Sequence, residues 1–192
     1  MGKFSLIPGI ILQMKYMKHL LPTCILCLII TYAFSQEADH KINLNELDFL
    51  LGKWKVESSQ RLSAQGPWEK SDASSSINKT LNSTLIEEEF TGTREGKPFF
   101  IKTLFAINNA NSKYQRIFAD SEHGVLIEFE GIKNKDTIYF DRTWLYANGS
   151  TVKLRVAYYI ISNNEFHMES MRMPQQSTEW DITGRMKYTK EK

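Results

Sequence analysis

From residue 52 onward the apolar residues fall at alternate positions. Gly52–Ser59 sets Trp54 and Val56 on one face, and the same alternation returns over Ser74–Leu81, Thr84–Phe90, Pro98–Ile107, Tyr114–Asp120 and Gly124–Glu130. It continues over Thr137–Trp144, Thr151–Ser162, Glu165–Met173 and Glu179–Thr189. A period of two marks strands with one buried face. Between the runs stand turn formers such as Asn108-Asn109-Ala110-Asn111, His123-Gly124, Asn148-Gly149 and Asn163-Asn164. Ten strands joined by tight turns, with no crossover helix, must pair antiparallel with their sequence neighbours. Such a ladder becomes a sandwich or a barrel; an up-and-down barrel needs only hairpins, and closure removes the exposed edges. One segment breaks the period: over Asn43–Leu51, Leu44, Leu47 and Leu51 recur at three and four, which predicts a short helix stopped by Gly52. The Ser/Ala/Gly stretch Ser58–Ser76, with Trp68 in it, reads as one long loop.

The N-terminus carries a different pattern. Lys15 and Lys18 precede an apolar run, Leu20–Ile30, and Ala33-Phe34-Ser35 puts small residues at the −3 and −1 positions of a cut before Gln36. This is the layout of a signal peptide over residues 1–35. The uncharged stretch is short for a bilayer span and holds Pro22. Met14 or Met17 makes a better start than Met1, because the apolar patch Phe4–Leu12 precedes the basic residues. Residues 36–42 are expected as a flexible linker and 43–190 as the barrel domain. The chain is thus expected to be exported, periplasmic or secreted, with no membrane span after cleavage. Cys24 and Cys27 leave with the leader, so C-x-x-C here is neither a redox motif nor a metal site.

Charge excludes one class of partner. Across 192 residues, 24 Lys+Arg face 22 Asp+Glu, and three of the lysines lie in the leader, so the remainder is near neutral. No basic stripe remains for a nucleic-acid backbone. The composition is otherwise that of an ordinary globular chain, monomer or dimer.

Asp48-Phe49-Leu50-Leu51-Gly52-Lys53-Trp54 resembles the Phe-Leu-x-Gly-x-Trp opening of an uncharacterised bacterial family of lipocalin-like (calycin) barrels, known chiefly as a domain of unknown function. Leu85–Gly92 resembles that family's third strand, Tyr114–Gly131 its central hairpin, and Glu169 with Trp180 and Tyr188 its last two strands. More distantly the chain resembles nitrobindin-like and fatty-acid-binding-like barrels. The resemblance implies an all-β, closed antiparallel barrel with a short plug helix and an inner cavity. It implies no reaction. In such a barrel Trp54, after Gly52, is expected to pack across the floor, against a cation of the last strand, Arg185 or Lys187.

No catalytic motif appears: Glu87-Glu88-Glu89 points neighbouring carboxylates to opposite faces, and Gly-x-Ser-x-Gly and phosphate-loop patterns are absent. No cofactor is expected. The nitrobindin-type proximal His has no counterpart in Glu179–Lys192; His40 lies in the tail, His123 in a turn and His167 opposite Phe166 and Met168, so haem does not fit, and no zinc-like spacing occurs. The strongest hint is polar residues in register with apolar ones. Ile86, Glu88 and Phe90 share a face, as do Tyr114, Arg116 and Phe118; Ile138, Phe140 and Arg142; Leu154, Val156 and Tyr158; and Phe166, Met168, Ser170 and Arg172. If these faces point inward, Glu88, Arg116, Phe118, Arg142, Tyr158 and Ser170 line a cup suited to a small apolar or amphipathic ligand. Arg116 and Arg142 then either pair with Glu88 or stay open to an anionic head group. Two alternatives remain: an isomerase- or hydratase-type enzyme using Glu88 or Tyr158, or a filled barrel acting through its rim on another protein.

Overall fold

The computed structural model describes residues 42–61, 63 and 65–192; the leader and its cleavage site lie outside the described residues. A 3-10 helix, Leu44–Leu50, is followed by β1 (Gly52–Gln60), β2 (Glu69–Thr80), β3 (Leu85–Arg94), β4 (Lys97–Asn108) and β5 (Lys113–Asp120). Then come β6 (Ile127–Asn134), β7 (Thr137–Leu145), β8 (Thr151–Ser162), β9 (Glu165–Pro174) and β10 (Asp181–Lys190). Each strand pairs antiparallel with its sequence neighbours, and β1 closes the ring on β10, from Trp54↔Lys190 to Gln60↔Gly184. The fold is therefore a closed ten-stranded antiparallel barrel with a short N-terminal helix.

The helix seals one end. Leu44, Leu47 and Leu50 are its buried residues. Their spacing of three suits the 3-10 geometry, in which residues i and i+3 stand above one another. The expected apolar face ran through Leu51 instead; Leu51 is half-buried at the helix end, in extended conformation. Asn43 and Glu46 form a reciprocal capping box. Two ion pairs tie the helix to the wall, Lys79 (β2) to Asp48 at 2.9 Å and Lys133 (β6) to Glu46 at 3.1 Å.

Trp54 is fully buried beside the helix, its indole N–H donating to the Leu50 carbonyl at 2.7 Å. The edge of its ring meets Phe166 at 4.8 Å, and Phe166 stacks on Tyr188 at 4.2 Å. Phe105, Phe140 and Tyr158 continue this aromatic packing. Gly52 adopts φ 135°, which favours glycine, and a Cβ there would meet the Lys190 side chain at 2.7 Å. The floor cation is Lys190, whose ammonium lies 5.2 Å from the Trp54 ring, and not Arg185. Parity explains the correction. Met186 and Tyr188 point inward, so Arg185 and Lys187 point out, and Arg185 faces Ser59 far from Trp54. The exposed Arg185 instead pairs with Glu169 at 3.3 Å and stacks on Trp68, and Lys187 pairs with Glu165.

The stretch expected as a long loop is largely strand. β2 begins at Glu69, and its Ser-rich sequence pairs with β1 from Gly52↔Ile77 to Gln60↔Glu69. Serine has little intrinsic strand preference, but two flanking strands supply the ladder regardless.

Candidate functional site

The same alternation that fills the closed end leaves the other end hollow. Toward the open end the inward positions carry small residues: Ser71 and Ala73 on β2, Gly92 on β3, Ser170 on β9 and Gly184 on β10. A cavity of about 830 Å³ results. Its apolar wall includes Phe99, Ile101, Phe118, Phe129, Val156 and Met168, and its polar lining includes Arg61, Arg94, Asp120 and Arg172. The volume falls within the range of known small-molecule sites.

Between the two halves lie the buried polar groups. Glu88 is 3% exposed. Its Oε1 accepts from the Ser75 hydroxyl at 2.9 Å and from the Tyr188 hydroxyl at 3.1 Å. Arg116 is 5% exposed; its Nε donates to the Tyr158 hydroxyl at 3.1 Å, and the Phe118 and Phe129 rings lie 4.7 and 5.7 Å away. Burial pushes the Tyr158 hydroxyl up to about 12, against the opposing pull of Arg116. Burial, then the Glu88 carboxylate, raises Tyr188 well above the ordinary phenol value. Both therefore stay neutral at physiological pH. Two buried polar atoms here have no hydrogen-bond partner, Arg116 Nη1 and Thr103 Oγ1.

The candidate residues divide. Arg116, Phe118 and Ser170 line the cavity. Ser170 Oγ reaches only the sulfur of Met168, at 3.6 Å. Glu88 and Tyr158 are buried in the lumen but lie outside the cavity lining. Arg142 lies outside it too: the guanidinium turns to the Glu128 carbonyl at 2.9 Å and stacks over Trp144 at 4.9 Å. Glu88 makes no ion pair with Arg116 or Arg142: its Oε1 accepts from the Ser75 and Tyr188 hydroxyls, Arg116 Nε donates to Tyr158, and Arg142 turns to the Glu128 carbonyl. Phe99 and Ile101 on β4 and Met186 on β10 also line the cup; sequence reasoning did not name them, although their period-two placement carried the signal.

Neither described histidine, His123 or His167, lines the cavity. His123 is in a rim turn with Asp120 at 3.0 Å, and His167 faces outward to Glu165 at 2.9 Å. Among the described residues, no group of three or more His, Cys, Asp or Glu is placed to hold a metal ion. Among the same residues, no helix is long and apolar enough to cross a membrane.

Fold and lumen define a closed antiparallel barrel with one sealed and one open end. The family model described as "Protein of unknown function (DUF1579)" matches residues 39–190, and the chain belongs to that family. No curated protein matches it. Among solved structures it is similar to Rv2717c from M. tuberculosis, at 11% identity and a TM-score of 0.55, over 78% of this chain and 97% of that one. It is also similar to the S-type phycobiliprotein lyase CPES from Guillardia theta, at 11% identity and a TM-score of 0.53, over 79% and 94%. At that identity the likeness extends to the fold alone.

Proposed function

We propose that this chain is an exported barrel of the lipocalin-like (calycin) kind that holds a small, partly apolar molecule in its open half. The observation that carries the reading is the cup itself: about 830 Å³ of space, walled by aromatic and aliphatic side chains and floored by a buried guanidinium. Export is supported by the basic, apolar and small-residue pattern of residues 1–35. The acid/base alternative has less support, because Glu88 and Tyr158 do not line the cavity. The test uses a neutral fluorophore, N-phenyl-1-naphthylamine. It should bind saturably at one site. Ser170→Trp, which fills the cup from β9, should abolish that binding while stability in urea stays within about 1 kcal/mol. A fluorescence response that never saturates, or one that Ser170→Trp leaves intact, sinks the proposal. Native mass spectrometry of protein purified from its own host then identifies the resident molecule.

A further inference from the structure

The geometry points to a ligand with a single carboxylate, which enters the cup with that group inward on Arg116 and its apolar body toward the mouth. The inference rests on the reading of the cup as a small-molecule site and deepens it. Arg116 is 5% exposed and lines the cavity, yet among the described residues no carboxylate forms an ion pair with it. Its Nε is engaged by Tyr158, a neutral phenol, and its buried Nη1 has no partner. A guanidinium taken out of water without a counter-charge is costly, and a carboxylate is the group whose planar pair of oxygens its fork matches.

The protein contains the obvious counter-ion and withholds it. Glu88 is the buried carboxylate of the same lumen, but its Oε1 is occupied by Ser75 and Tyr188. Arg94 at the rim is treated differently, pairing with Glu122 at 2.6 Å, whereas Arg172 comes only within 4.0 Å of Asp181 and its buried Nε, like Arg116 Nη1, has no hydrogen-bond partner. Arg116 is the most buried arginine of the cavity lining and, among the described residues, has no carboxylate partner. Glu88, the carboxylate of the same lumen, weighs more heavily against a doubly charged ligand than against a singly charged one. The flanking rings of Phe118 and Phe129 and the apolar wall above suit a hydrocarbon body.

The test displaces N-phenyl-1-naphthylamine from the full chain with decanoate, methyl decanoate and decyl phosphate near pH 7.5. Decanoate should act at a concentration about 10-fold or more below that of its methyl ester, the usual worth of a charge-assisted hydrogen bond. Decyl phosphate, closer to two charges, should act less well than decanoate. In Arg116→Gln the acid-to-ester ratio should fall to near one while the fluorophore still binds. Should that variant fail to fold, Arg116→Lys keeps the charge without the fork and should lower the ratio while leaving it above one. Equal displacement by acid and ester, a ratio unchanged in the variants, or phosphate ahead of carboxylate overturns the inference and leaves the cup reading standing. Absence of any fluorophore binding removes the cup reading, and the inference with it.

Discussion

The two halves of the lumen obey one backbone rule and reach opposite results. Inward positions toward the helix carry Trp54, Tyr114, Phe140, Phe166 and Tyr188, all fully or almost fully buried. Inward positions toward the mouth carry Ser71, Ala73, Gly92, Ser170 and Gly184, and the space they leave is the cavity. The ring of paired strands closes around both halves, although toward the mouth β2 and β3 part beyond Ser74↔Thr91 and the β9–β10 register shifts beside Gly184. Side-chain volume is the main difference between the packed core and the cavity. The filled half supplies the stability, and that leaves the other half free to remain open.

Substitutions in the filled half should break this division first. Trp54→Ala removes a fully buried indole and the N–H that satisfies the Leu50 carbonyl. It should cost about 3–5 kcal/mol in urea unfolding. A loss below about 1 kcal/mol would mean the closed end is not the source of stability.

The buried phenols give a second, smaller test. Tyr158 titrates at about 12 in the fold and near 10 when unfolded. A raised folded-state value means that its contribution is complete below pH 10 and is lost as pH rises toward 12. For this one group the loss should be about 2–3 kcal/mol. Melts of wild type and Tyr158→Phe across that window should diverge by that amount, with Tyr188 accounting for further alkaline loss in both. Parallel curves would place the Tyr158 hydroxyl in contact with water.

The glycines sharpen the comparison at the scale of one methyl group. A Cβ on Gly131 would stand 2.6 Å from the Phe140 ring, whereas one on Gly184 would meet Ser170 at 3.4 Å, an ordinary contact. Gly131→Ala should therefore cost about 1–3 kcal/mol by overpacking, and Gly184→Ala about 0.5 kcal/mol or less. Equal costs in thermal unfolding would mean the two walls are packed alike.

The barrel was legible because hydrophobic alternation is a local signal, and the inward faces of β3, β5, β7, β8 and β9 follow from it. Two elements were legible only in part, for different reasons. β2 is rich in serine, and its strand state depends on neighbours that lie far along the chain. The helix is spaced for three residues per turn, not 3.6, so Leu50 takes the place expected of Leu51. The site was legible as a set of faces and not as a set of partners. Parity puts Arg116 inside, but only the ring closure decides that Tyr158 meets it and that Tyr188 meets Glu88. Arg185 shows the same limit: a cation on the last strand was expected for Trp54, and register selects Lys190.

The β1–β10 seam has a consequence for how the protein comes to exist. Every other strand pair is made by a hairpin or a longer loop between sequence neighbours, and can form as the chain folds back on itself. The seam joins distant chain positions; across it the Arg61 side chain donates to the Ile182 carbonyl, 121 positions away. The entropy lost in closing a loop grows with its length, so this contact is the most expensive to reach and is rewarded only when it is complete. Before it closes, the sheet is an open ribbon with no lumen. The cavity is thus complete only once the seam is closed, and any molecule held inside would add its own mass-action weight to keeping the ring shut.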